Sequence, residues 1–86
     1  MPKTLASVQN RPLYEIAADI QKNYPKMYFG AVPYVDTLKK LDKITDYYHA
    51  DSAVTLVHYL IGNLMYWRGP EAKRIKAELK ALVGMK

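Results

Sequence analysis

The chain has no cysteine among its 86 residues, which excludes a disulfide framework, a thiolate metal site and a thiol nucleophile. It has two histidines, His49 and His58, nine positions apart. On a shared helix that interval is about two and a half turns, which puts the rings on opposite sides and argues against a two-histidine metal site. Its four glycines form no phosphate-cradling loop, dinucleotide fingerprint or nucleophile elbow. Long apolar runs are missing as well. The most hydrophobic stretch, residues 53–67, is broken by Thr55, His58, Gly62 and Asn63, whereas a bilayer span needs about 20 apolar residues. Residues 1–10 carry no apolar core of a secretory signal. These absences predict a cytoplasmic protein without membrane contact. They give no indication of an enzyme, a cofactor or a metal.

What remains is a globular composition. Half of the residues are hydrophobic and 24% are charged, enough apolar surface to fold without disulfides or metal. The length suits one domain, residues 1–86, with an aperiodic arm at 1–10 and a helical core at 11–84. The net charge of +5 (13 basic less 8 acidic residues) is unevenly placed. Residues 1–67 hold seven basic and six acidic residues, whereas 68–86 hold six basic and two acidic ones. The C-terminal segment is therefore where a polyanion would be drawn.

Four segments repeat apolar residues at helical spacing. Leu13, Ile16, Ala17 and Ile20 share a face and predict a first helix over 12–23, stopped by Pro25. Pro33 opens a second, predicted over 34–48, with Tyr34, Leu38, Leu41, Ile44, Thr45 and Tyr48 inward and Asp36 paired with Lys40 outward. Asp51 or Ser52 caps a third over 52–67. That helix is apolar round most of its girth, which marks it as the central one, and Gly62 suggests a close crossing by a neighbouring backbone. Gly69 ends the third helix, and Pro70 with Glu71 starts the fourth, over 70–83, with Gly84 as its stop. The prediction is an all-α fold: a single-domain bundle of four helices around a hydrophobic third, with Leu38, Leu41, Val57, Leu60, Ile61, Leu64, Ile75 and Leu79 in the core.

Two acidic pairs, Glu15 with Asp19 and Asp42 with Asp46, have the spacing of shared carboxylates. Lysines beside them favour a solvated charged face over a metal or proton site. Ser7 and Ser52 lack histidine and acidic companions for nucleophilic catalysis, and His58 on a polar helical stripe reads as a surface histidine. Two features invite binding. Lys73, Lys76 and Lys80 project from one face of the fourth helix, flanked by Arg74 and Arg68; the face either is a solvated one that keeps the protein soluble, or contacts nucleic acid or an acidic protein partner. That face has no Asn, Gln, Ser or Thr with which to read base edges. A helix-turn-helix would place the third and fourth helices together, although their connection looks shorter than the usual turn. The second feature is aromatic: Tyr24, Tyr28, Phe29 and Tyr47 either plug one end of the bundle or form an exposed protein-binding patch.

The run Tyr28-Phe29-Gly30-Ala31-Val32-Pro33-Tyr34, then Leu41-Asp42, Asp51-Ser52-Ala53, Trp67-Arg68-Gly69 and residues 72–80, resembles a group of small proteins of bacteriophages and other mobile elements of Gram-positive bacteria. The likeness covers about residues 13–83. It implies a genomic context and no catalytic residue. It also implies a glycine where this chain has His49, and hence a positive φ there. The expected function is a small non-enzymatic interaction module that binds a host or phage protein, or a second copy of itself. The alternative is a nucleic-acid accessory protein using the basic face of the last helix.

Overall fold

The computed structural model describes residues 11–84; the expected arm at 1–10 lies outside them. The first helix, α1 (Leu13–Asn23), follows Pro12, which offers no side-chain cap. Its leading N–H groups are satisfied from a distance: Leu13 N donates to Asp42 O at 2.7 Å and Tyr14 N to Leu41 O at 3.0 Å. Leu13, Ile16, Ala17 and Ile20 are buried as the period requires. Each buried aliphatic side chain is worth about 1.5–3 kcal/mol against exposure.

Those two borrowed carbonyls explain the first departure from the sequence reading. The second helix, α2 (Val32–Leu38), stops at Leu38 and does not reach residue 48. The carbonyls of Leu41 and Asp42 are committed to α1, and Asp46 Oδ2 accepts the N–H groups of Asp42 and Lys43, each at 2.9 Å. A side chain that captures nearby main-chain donors offers the backbone an alternative to helix. Lys40 therefore lies beyond the helix. The expected Asp36–Lys40 pair does not form, and Lys40 Nζ reaches the Tyr48 hydroxyl at 3.3 Å. Of the expected inner face, Leu38 and Leu41 are buried, while Tyr34, Ile44 and Tyr48 are half-buried and Thr45 is exposed. Val35 takes the inward place on α2.

The chain then forms an element with no counterpart in the all-helical expectation. Strands β1 (Tyr47–Tyr48) and β2 (Asp51–Ser52) pair antiparallel, Tyr47 opposite Ser52 and Tyr48 opposite Asp51. Among the described residues the fold is thus four helices plus a small two-stranded ribbon. Only His49 and Ala50 lie in the turn, and His49 has φ 57° while no other non-glycine residue among those described has a positive φ. That is the sign pattern of a type II′ hairpin turn, whose first central position favours glycine. The positive φ expected at His49 is present.

Ser52 caps helix α3 (Ala53–Asn63), accepting from Thr55 N at 3.2 Å. This helix ends at Asn63 and does not run on to Trp67. Leu64 N bonds to Ile61 O and Trp67 N to Leu64 O, a tightened pair of turns that swings Trp67 inward until it is 5% exposed. Gly69, at φ 114°, is therefore not the stop of α3 but the N-cap of helix α4 (Pro70–Leu82). Gly84, at φ 77°, follows the C-cap Val83 as predicted.

The third helix is not central. Helices α1, α2, α3 and α4 pack chiefly as a closed ring, each against the next and α4 back against α1. Accordingly α3 buries one face, through Ala53, Leu56, Val57 and Leu60, while Val54, Tyr59, Met65 and Tyr66 stay exposed. Ile61, expected in the core, is half-buried; the other seven predicted core residues are buried. Gly62 is exposed and no atom lies within 4 Å of where its Cβ would be, so no backbone crosses there.

Candidate functional site

The described cations of the C-terminal segment divide between two sides of α4. Arg68, Lys73, Lys76 and Lys80 line one open groove of about 850 Å³, together with Trp67, Pro70, Ala72, Ala77 and Ala81. The i, i+3, i+7 spacing of the three lysines puts them on one flank. The alanines provide a low apolar floor. Lys76 is held in place, with Nζ donating to the Trp67 carbonyl at 2.6 Å. Burial pushes the Lys76 amine below the usual lysine value, and the charges of Arg68 and Lys80 push the same way. None of the four cations has an ion-pair partner among the described residues.

Arg74 does not join them. Its Nη2 reaches Asp19 Oδ2 on α1 at 3.3 Å. Asp19 also accepts from Arg11 Nη1 at 3.1 Å, and Arg11 grips Glu78 through Nε to Oε2 at 2.9 Å and Nη2 to Oε1 at 2.7 Å. This four-residue network ties α1 to α4. Burial pushes the Asp19 carboxyl upward, but hydrogen bonds and charge from Arg11 and Arg74 outweigh it and hold it below the usual value. The Glu78 bond leads the effects that raise the Arg11 guanidinium, against desolvation. The Glu15–Asp19 pair is thus not a plain solvated face, because Asp19 is a structural anion. Asp46 is likewise a turn-former, its carboxyl held down by the N–H groups of Lys43 and Asp42. No cluster of three metal-ligating side chains occurs among the described residues.

The candidate aromatics also separate. Tyr24 is half-buried, its ring stacked on Trp67 at 5.0 Å and 5°. It packs against the hydrophobic core. Tyr28 is half-buried between Phe29, at 4.8 Å, and Tyr66, at 5.5 Å. Phe29 is 80% exposed and Tyr47, on the ribbon, 67%. Tyr66, Met65 and Tyr59 extend the exposed apolar surface, with Tyr59 against Tyr34 at 5.7 Å. Gly30 holds this ridge together: a Cβ there would come within 2.5 Å of Asn63 Oδ1 and 2.6 Å of the Tyr28 ring. Asn63 in turn donates to Tyr59 O at 2.8 Å. The ridge was only partly visible in the sequence, where Tyr59 and Met65 count as apolar positions of a helix expected to be surrounded.

His49 packs its ring edge-on against Tyr48 at 4.4 Å, and His58 is exposed on α3. Residues 64–69 separate α3 from α4, a connection longer than the three or four residues of a helix-turn-helix, not shorter as the sequence suggested. Among the described residues no helix is long and apolar enough to cross a membrane. No protein-family model, curated protein or solved structure matches the chain.

Proposed function

We propose that the protein is a small non-enzymatic interaction module, carried by a phage or mobile element, that binds a host or phage protein in the cytoplasm through its aromatic ridge. One observation carries this reading. Phe29 presents 80% of its surface to solvent beside the half-buried Tyr28, whose ring lies against Tyr66 and close to Gly30. Aromatic side chains dominate the binding energy of protein interfaces. A ring displayed from a fixed support loses little conformational freedom on docking. Clustered exposed apolar side chains in a chain this small also need a reason, and solubility alone selects against them.

The test is affinity capture from nuclease-treated host lysate with the wild type and with a Phe29→Ala/Tyr66→Ala double variant. Thermal melts of both proteins check that the fold is kept. A protein retained by the wild type and lost by the variant is the expected result. Identical captured sets, or capture that disappears with nuclease alone, would reject the ridge as the binding surface.

A further inference from the structure

The groove beside α4 is chemically unlike the ridge, and its two components do not suit the same simple ligand. Four cations line it, yet the exposed side chains between them are the methyl groups of Ala77 and Ala81, with Trp67 nearly buried beneath. A nucleic-acid backbone would satisfy the cations and leave the floor uncovered. The floor has no side-chain amide or hydroxyl with which to read a base edge. A purely apolar segment would cover the floor and leave the cations facing it without counter-charge.

We propose that the groove formed by Trp67, Arg68 and the Lys73–Ala81 face of α4 docks an acidic amphipathic helix of a partner protein, its apolar stripe on Ala77 and Ala81 and its carboxylates toward Arg68, Lys73, Lys76 and Lys80. Small floor residues let a helix come close, which is the geometry of helix-in-groove recognition. From Pro70 to Ala81 the groove runs along about 17 Å of helix axis, matching about three turns of a ligand helix. Carboxylates at the rim would also relieve the mutual repulsion of Arg68, Lys76 and Lys80, which adds to burial in disfavouring the charged Lys76 amine. This rests on the reading of the protein as an interaction module but uses a different face of it.

Fluorescence anisotropy with the full chain and labelled synthetic probes tests the idea. The probes are a Leu/Glu amphipathic helix of about 15 residues, a scrambled peptide of the same composition, and a short DNA duplex. The amphipathic peptide is expected to bind at least about tenfold more tightly than the scrambled one, a difference that composition and charge alone do not produce. Lys73→Glu/Lys80→Glu should weaken it by about tenfold or more and change its salt dependence, as reversal of rim charges does. Ala77→Arg is the decisive variant, because it adds a positive charge while filling the floor. Groove docking predicts weaker binding; a merely electrostatic face predicts stronger. Ala77 is exposed, so the fold should tolerate the change, and a melt verifies it. Equal binding of the two peptides, tighter binding by Ala77→Arg, or a preference for the duplex over both peptides would overturn the proposal. Phe29→Ala should leave peptide binding unchanged, so failure of the ridge and failure of the groove are read separately.

Discussion

Arg11 and Glu78, 67 residues apart in the chain, are joined by a two-pronged ion pair with bonds of 2.9 and 2.7 Å. Both side chains are roughly a quarter exposed (28% and 26%), so the pair is shielded enough to matter but open enough for water to compensate in part. Glu78→Gln keeps the shape and removes the charge. It is expected to cost about 1–2 kcal/mol and lower the melting midpoint by roughly 4–8 °C per kcal/mol. An Arg11→Met/Glu78→Gln double-mutant cycle measures the coupling, and additive losses would show that the two residues act independently.

Acid should weaken the protein through Asp19 and Asp46. Both carboxyls are held below the ordinary value of 3.8 in the fold. A depressed carboxyl stabilises the native state fully above its unfolded value and loses that contribution as pH falls through the folded one. The sensitive window therefore opens below about pH 4. Urea midpoints measured from pH 6 down to pH 2.5 should fall in that window, and Asp19→Asn should flatten part of the fall.

His49 occupies a backbone conformation that costs an L-residue about 1–2 kcal/mol. His49→Gly removes that strain but adds freedom to the unfolded chain and gives up the ring contact with Tyr48. A net gain of about 0.5–1 kcal/mol is expected, visible as a higher urea midpoint. His49→Ala, which keeps the strain and loses the ring, should be less stable than the wild type.

Two glycines on neighbouring elements should respond oppositely to alanine. Gly62 faces open solvent within α3, so Gly62→Ala should stabilise by up to about 1 kcal/mol through helix propensity. Gly30→Ala places a methyl group against Asn63 and Tyr28. It should lower the melting midpoint and disturb the ridge, detectable as altered near-ultraviolet dichroism of the tyrosines.

The sequence was most informative where local and tertiary demands agree. In α1 the i, i+3, i+4, i+7 set is buried throughout, because nothing else competes for its backbone. The lysine flank of α4 follows from spacing alone in the same way. The second helix is shorter than its apolar period, which continues through Leu41, Ile44 and Tyr48, because the carbonyls of Leu41 and Asp42 serve α1, a bond partner that no local pattern announces. The ribbon escaped notice because its turn is His-Ala, without the Asn-Gly signal of a two-residue hairpin. Spacing sets Arg74 beside the lysine face, and its true partner, Asp19, is hidden because it lies 55 residues away.

The closed ring of helices has a consequence for the order in which the molecule assembles. Three of its four seams join helices consecutive in the chain, so their contacts close shorter loops than the fourth, and such contacts form more quickly. The fourth, α1 against α4, must bring together segments from opposite ends of the domain, at the largest entropic cost. That seam, with Arg11, Asp19, Arg74 and Glu78 across it, is expected to zip up after the folding barrier has been crossed. Its ion pairs would then set the lifetime of the native state, slowing its opening, while leaving the speed of folding to the three local seams.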